Sequence, residues 1–372
     1  MKSTKRRILI LINVVLFAIV FIWTIPTIGL LISSFREKED IQSTGWWTVF
    51  PHQEYVSTGT EYPIPPEQTR DAPITINNAA TGGKDVTALF ADWQKGIDVG
   101  GGTTLLWSGN LRSGKLLEQR QQWVANTNFT LENYEVVLNG KNYELKRPDG
   151  SVTRVQGEDL VGAFLNSVTV TIPATIIPIL IAAFAAYGFA WMEFPGRRIL
   201  FIMVVALLVV PLQISLVPIS QDYNALGLNG TYLGIWLAHT GFGLPLAVYL
   251  LYNYISNLPK EILESAFIDG ASHFTIFFRL VLPLSVPALA SFAIFQFLWV
   301  WNDFLVSFIF LGITNSEQQV LTYRIYNLVG SRGNDWYLLT AAAFVSMVVP
   351  LVVFFALQRY FVRGLMAGSV KG

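Results

Sequence analysis

Few side chains in this chain of 372 residues are typed and spaced for covalent chemistry. Cysteine is absent, which excludes disulfides, thiolate metal ligation and thiol catalysis. The three histidines, His52, His239 and His273, lie far apart in sequence, a poor basis for a metal site. Gly109 to Lys115 nearly spells a phosphate-binding loop, in which backbone N–H groups and a lysine would cradle phosphates. Leu116 stands where such a loop needs a hydroxyl for Mg²⁺, and no strand-then-long-helix pattern surrounds it. It reads as an ordinary loop. Asp303, beside Asn302, is an acid within an apolar run. A carboxylate inside a membrane is costly and usually faces a cavity or a partner. Two readings stand even, an acceptor lining a substrate path or a structural acid near the outer interface paired with Asn302 or a neighbouring subunit, with a proton relay a distant third.

The most organised polar stretch is 258–287, LPKEILESAFIDGASHFTIFFRLVLPLSVP, which separates two strongly apolar runs. Pro259 suits the first turn of a helix, where its missing N–H costs nothing. Residues 260–268 can form the first helix, with Glu261 and Glu264 near its positive start. Asp269 and Gly270 interrupt it: glycine permits backbone angles that other residues avoid, and Asp269 can cap a second helix over 271–282 that stops at Pro283. A short helix, a hinge and a second helix make a rigid knob. With no nucleophile–base pair, and with its His273 among Phe274, Phe277 and Phe278, the knob suits docking better than a reaction.

The same residues carry a resemblance. Glu264-Ser265-Ala266, Asp269-Gly270-Ala271, Leu280 and Leu282-Pro283 resemble the coupling motif of importer permeases driven by ATP-binding cassettes. That motif reads Glu-Ala-Ala, three residues, Gly, nine residues, Ile, one residue, Leu-Pro. Ser265 and Leu280 depart from it mildly.

The elements that would hold this knob are membrane spans. Of the residues, 52% are hydrophobic and 13% charged, against about 25% charged in ordinary soluble domains. Net charge is zero, so charge points to neither nucleic acid nor an acidic substrate. Lys2, Lys5, Arg6 and Arg7 precede an apolar run over 8–32, longer than a signal peptide's and sufficient to span, with the N-terminus cytoplasmic. From 34 to 159 charges alternate and Gly and Pro are frequent; no run there could cross a bilayer. A strand is expected at 103–107, a short helix at 115–123 and a strand meander at 134–156, with hairpin turns at Asn139-Gly140 and Asp149-Gly150. Trp46, Trp47, Trp93, Trp107 and Trp123 could offer rings to a sugar, but filling the core of a small domain is the better-supported use. Five further spans are expected at 161–192, 199–220 (bent by Pro211 and Pro218), 232–255, 286–311 and 338–361. Arg197, Arg198, Arg359, Arg363 and Lys371 then fall on the cytoplasmic side.

The resemblance widens with Asn166-Ser167, Trp301-Asn302-Asp303-Phe304, Thr130 to Tyr134 and the Gly-rich ending from Gly364 to Gly372. These are similar to carbohydrate permeases of the maltose type, to the second subunit of the pair, and the enlarged outer segment resembles the α-glucoside branch. The resemblance implies an all-α polytopic membrane protein. Its six transmembrane helices would have the type I ABC importer permease fold, with a β-rich extracytoplasmic domain inserted between helices 1 and 2. The expected division is 1–33, the inserted domain 34–160, helices 161–363 with the coupling loop 257–285, and a cytoplasmic tail 364–372. It further implies a multi-pass permease of a bacterial inner membrane, both termini cytoplasmic, importing an oligosaccharide or α-glucoside without hydrolysing anything itself. Expected partners are a homologous permease, an ATPase dimer that holds ATP and Mg²⁺, an extracytoplasmic sugar-binding protein, the sugar and membrane lipid. Glu261, Glu264, Ser265, Ala266, Asp269, Gly270, Ala271, Leu280 and Pro283 would couple to the ATPase. Gly364, Gly368 and Lys371 would contact it from the tail, and Asn302 and Asp303 are candidates for the path. A secondary transporter or channel would instead show repeated halves and more intramembrane charge. A membrane-anchored binding domain would not need five spans after the domain.

Overall fold

The computed structural model describes residues 2–62, 64, 72–76, 85–111, 114–146, 152–155, 159–312, 316–332 and 335–367. Two compact units emerge, one of Met1–Ile32 and Arg36–Phe129, the other of Ser33–Phe35 and Thr130–Gly372.

In the first unit, helix α1 (Lys2–Ser34) starts with basic residues, is apolar over 8–32 and holds Pro26 inside it. Just beyond it the buried Arg36 guanidinium donates to Gly45 O (2.8 Å), Thr44 Oγ1 (2.7 Å) and Thr48 Oγ1 (3.1 Å). These bonds fold helix α2 (Lys38–Ser43) and the turn Trp46–Val49 back on the chain. The indole of Trp46 then lies on Gly29 of α1, where an added Cβ would fall 2.6 Å from its Nε1. Strands follow: β1 (His52–Tyr62), β2 (Ile74–Ile76), β3 (Val86–Ala88), β4 (Ile97–Gly100), β5 (Thr103–Ser108) and β6 (Lys115–Val124), with a short helix α3 (Phe90–Trp93) between β3 and β4. Four form an antiparallel sheet in the order β1-β6-β5-β4, and β2 pairs with β3. Trp93 and Trp107 are buried with Ile74, Phe90, Leu105 and Leu116 in one core, the structural use expected of them.

The helix expected at 115–123 is a strand. Its formers, Leu, Glu, Gln and Arg, favour a helix in isolation. Pairing on both sides, with β1 and β5, and the buried positions Leu116 and Glu118 override that preference. The near-phosphate loop joins β5 to β6, so a strand and not a helix follows it.

The second unit opens its main run with helix α4 (Glu132–Asn139), whose buried Asn133, Val136 and Val137 follow helical spacing. Asn139-Gly140 is therefore the end of a helix, with Gly140 left-handed (φ 64°), and not the expected hairpin turn. Strands β7 (Tyr143–Lys146) and β8 (Val152–Val155) pair antiparallel; Asp149-Gly150 falls between them, outside the described residues. The helices that follow are α5 (Leu160–Trp191), α6 (Arg197–Ala206), α7 (Leu212–Ala225), α8 (Tyr232–Ile255), α9 (Lys260–Ile268), α10 (His273–Leu284), α11 (Val286–Trp301), α12 (Leu305–Ser307), α13 (Leu321–Arg332) and α14 (Trp336–Ala367). Among the described residues four helices are long and apolar enough to cross a membrane, and two bent pairs raise that to six if each is one span. The pair α6 and α7 turns by 106° around Pro211, so the expected third span is broken rather than bent, while Pro218 lies inside α7. The fifth expected span is interrupted at Asn302 to Phe304 and resumes as α12 and a π-helical turn, Phe308–Gly312.

Prolines dictate how these helices meet. A proline inside a helix leaves the carbonyl four residues earlier without its N–H partner, and a lipid-embedded orphan is costly. Pro173 frees Thr169 O, which accepts from Trp236 Nε1 of α8 at 3.0 Å. Pro178 frees Ala174 O, which accepts from Gln296 Nε2 of α11 at 3.1 Å. Pro350 frees Ser346 O, which accepts from Trp301 Nε1 of α11 at 2.9 Å. Each bond ties two helices together. Small residues permit the approach: Ala182, Ala183, Ala186 and Ala247 are buried where α5 meets α8, and a Cβ on Gly243 would fall 2.5 Å from Gln296 Oε1.

Candidate functional site

The knob begins as the sequence implies. Pro259 precedes α9 in an extended conformation (φ −56°, ψ 120°), and Leu263 is the one wholly buried side chain of that helix. Its end explains the spacing of the motif. Gly270 adopts φ 77°, its N–H bonds to Phe267 O (3.0 Å), and the N–H of Ala271 bonds to Ala266 O (3.0 Å). This reciprocal pair is a Schellman stop, which needs a left-handed residue at 270 and so selects glycine there.

Two expectations for the second helix change. Ser272, not Asp269, caps it, accepting from Thr275 N at 3.2 Å; Asp269 ends the first helix instead. The helical chain also continues through Pro283, to Leu284. It breaks at Ser285, where α10 and α11 meet at 71°.

The knob is seated by chemistry on its inner side. Leu263, Ile276, Phe277 and Val281 share a buried core with Ala183 and Tyr187 of α5 and Leu251 and Ile255 of α8. Phe277 stacks on Phe184 with centroids 4.2 Å apart. Tyr187 Oη lies 2.8 Å from His273 Nδ1, and Trp191 Nε1 donates to Ile255 O at 3.0 Å. His273 thus bonds to α5, a link that its phenylalanine neighbours in sequence did not reveal. The knob thus shares one buried core with two long apolar helices, α5 and α8.

On the outer side Glu261, Glu264, Ser265, Asp269, Gly270 and Pro283 are exposed. Ala266, Ala271 and Leu280 are partly buried and pack against the core, so these three shape the knob rather than present a surface. Sequence reasoning missed the apolar part of that surface: Ile268 is 87% exposed and Phe274 68%. Large apolar residues in an otherwise polar connector were the available signal. Gly364 lies inside α14, which runs to Ala367; Gly368 and Lys371 lie outside the described residues.

Asp303 has a structural occupation. Its Oδ1 accepts from Val306 N (3.2 Å), and its Oδ2 from Ser307 N (2.8 Å) and Ser307 Oγ (3.0 Å). It caps the resumption of the helix after the break. His239 Nε2 of α8 stands 3.8 Å from Asp303 Oδ2, both side chains buried. Asn302 turns back on its own helix, donating to Leu298 O at 2.8 Å. A cavity of about 360 Å³ nearby is lined by Leu212, Ser215, Tyr223, Phe242 and Trp299 among others, and Asn302 and Asp303 are not among its lining residues.

Residues 167–366 match the family described as the binding-protein-dependent transport system inner membrane component. The chain is similar to the alpha-glucoside transport system permease protein AglG of Rhizobium meliloti (strain 1021), 48% identical over 378 residues, covering 95% of each. It is equally similar, 48% identical over 360 residues, to the osmoprotective compounds uptake permease protein GgtD of a Synechocystis species, covering 97% of this chain and 91% of that one. Both matches extend through most of the segment 34–160. Among solved structures, a bacterial alginate ABC transporter in complex with a pentasaccharide-bound periplasmic protein aligns at 18% identity with a TM-score of 0.45, over 55% of this chain and 78% of that one.

Proposed function

We propose a function that proceeds from one premise: the chain belongs to the family of binding-protein-dependent transport system inner membrane components. It is a permease subunit of an ABC sugar importer, a multi-pass membrane transport component and not an enzyme. In our reading it pairs with a second, homologous permease, and an ATPase dimer docks on the knob formed by α9 and α10. ATP and Mg²⁺ sit on that ATPase, and a sugar-binding protein delivers the substrate from the extracytoplasmic side, where 34–160 contributes a β-rich domain. The membrane is the bacterial inner membrane, with both termini cytoplasmic, as the basic residues Lys2, Lys5, Arg6 and Arg7 favour. The substrate is a neutral α-glucoside, a class supported by the name of one relative. Asn302 and Asp303 border the path without carrying specificity by themselves.

The observation that carries this reading is the knob itself: an inner face sharing a core with α5 and α8, and an outer face of Ile268 and Phe274 among the acids Glu261, Glu264 and Asp269. An apolar centre with a charged rim is what a docking surface requires. The test is purification of the detergent-solubilised transporter from its native membrane, with Ile268→Glu beside wild type. The ATPase should co-purify with wild type and be lost from the variant while the second permease stays. Retention of the ATPase and of ATP-dependent uptake by the variant would overturn the docking assignment. For the substrate, labelled maltose taken up by the reconstituted system should compete with other α-glucosides and not with β-linked cellobiose.

A further inference from the structure

The aromatic residues of the first unit are sorted by position. Those at the far part of the sheet, Phe90, Trp93 and Trp107, are buried in its core. The exposed ones gather where the chain leaves α1: Trp47 is 60% exposed, Phe50 55%, Tyr55 46%, Trp123 70% and Phe129 54%. Their places are tied to one another by backbone bonds. Asn126 N donates to Thr48 O at 2.8 Å, Trp123 sits opposite Gln53 in the ladder of β1 and β6, Tyr55 lies two residues further along β1, and Phe129 bridges to Arg36 just past the end of α1.

Their height is set by Trp46. Its ring rests on Gly29, five residues before α1 ends at Ser34, a drop of about 7.5 Å along the helix at 1.5 Å per residue. Trp47 and Phe50 belong to the same short turn, their partner Trp46 lying 6.3 and 6.4 Å from their rings. The turn is held at that depth by the Arg36 bonds to Gly45, Thr44 and Thr48. The apolar run 8–32 of α1 is longer than the roughly 20 residues that cross the hydrocarbon core, so Gly29, near its end, falls close to the level expected for the boundary with the headgroups.

We infer that Trp47, Phe50 and Trp123, flanked by Tyr55 and Phe129, form a lipid-facing foot that seats the base of the sheet in the interfacial layer of the leaflet where α1 emerges. Indole and phenol rings favour that layer because one side of each is apolar and the other can bond to water or headgroups. Trp46, which neighbours Trp47 and Phe50, lies on Gly29 of α1, and the next residues of that helix, Leu30 and Leu31, are exposed and apolar, so the rings stand close to a helix surface suited to lipid. Its function is to fix the sheet against the membrane. The inference rests on α1 spanning the bilayer and not on the identity of the ATPase or the sugar.

The absence of cysteine makes a direct test possible. Single variants Trp47→Cys, Trp123→Cys and, at the distal β4–β5 turn, Gly101→Cys are spin-labelled in the full transporter reconstituted into phosphatidylethanolamine–phosphatidylglycerol vesicles. Collisions with dissolved oxygen and with a water-soluble nickel chelate are then measured by electron paramagnetic resonance. Labels at 47 and 123 should favour oxygen over the chelate at least several-fold more than the label at 101. Equal access of the chelate to all three would overturn the inference. So would labels at 47 and 123 shielded from both reagents, which would mean that protein and not lipid covers the patch.

Discussion

Gln296 donates its side-chain amide to the carbonyl of Ala174 at 3.1 Å, and that carbonyl is the one Pro178 leaves without a helical partner. The donor lies on α11 and the acceptor on α5, so a defect in one helix becomes the joint between two. Gln296→Leu should lower the thermal stability of the solubilised transporter by an amount worth about 1 kcal/mol, as inter-helical bonds in membranes are modest. Pro178→Ala restores an N–H for the same carbonyl. In that background Gln296→Leu should cost clearly less, and equal losses in both backgrounds would show that the bond to Ala174 O contributes nothing.

Gly270 tests the shape of the knob separately from its surface. At φ 77° a Cβ is strained although nothing lies within 4 Å of it, and the penalty is about 1–2 kcal/mol for an ordinary L-residue. Gly270→Ala should reduce sugar uptake and ATPase co-purification together, and Gly270→Asn, which tolerates the left-handed region, should retain more of both. If Ala and Asn variants behave alike, the left-handed stop is not what the ATPase reads.

The knob was legible because its signals are local. Pro259, Gly270 and the apolar positions Leu263, Ile276 and Phe277 act through the backbone of their own segment or through simple periodicity. The four long apolar helices were legible from length and composition; the breaks that bend the other two expected spans were not. What the sequence concealed is cross-chain. No local pattern says that Tyr187 meets His273, that Trp301 answers Pro350, or that His239 stands beside Asp303. The strand Lys115–Val124 was misread for the same reason: its residues prefer a helix, and only partners 60 residues upstream and a few residues before it make it a strand, as the bond from Thr58 Oγ1 to Glu118 O illustrates. Pro211 was visible, but whether a proline bends a helix or ends it depends on what receives the freed carbonyls.

Tyr62 makes the sheet sensitive to alkaline pH. Its Oη donates to Glu118 Oε2 at 2.9 Å, and this bond, followed by burial, pushes the phenol above its ordinary value of 10.0. A raised folded pKa stabilises the fold fully below the unfolded value and is lost as pH rises through the folded one. Protease resistance of the sheet in the full chain should therefore fall above about pH 10, with a shallower fall in Tyr62→Phe, whose resistance at pH 8 is already lower. Parallel curves for the two chains would remove Tyr62 from the explanation.

Asp303 decides between path and scaffold. Its carboxylate accepts three bonds from Val306 and Ser307 across the break after α11, which a scaffold role requires and a substrate ligand would have to surrender. Asp303→Asn keeps one acceptor oxygen in place, so this variant should assemble with the second permease in nearly normal yield. Asp303→Leu keeps none, and loss of a helix cap alone costs about 1 kcal/mol; its yield should drop. If the cap is the whole role, the Asn variant transports with an unchanged KM and at most a lower rate. A KM raised tenfold in the Asn variant at normal assembly would place the carboxylate in contact with sugar, and the neighbouring His239 would then be the next residue to replace.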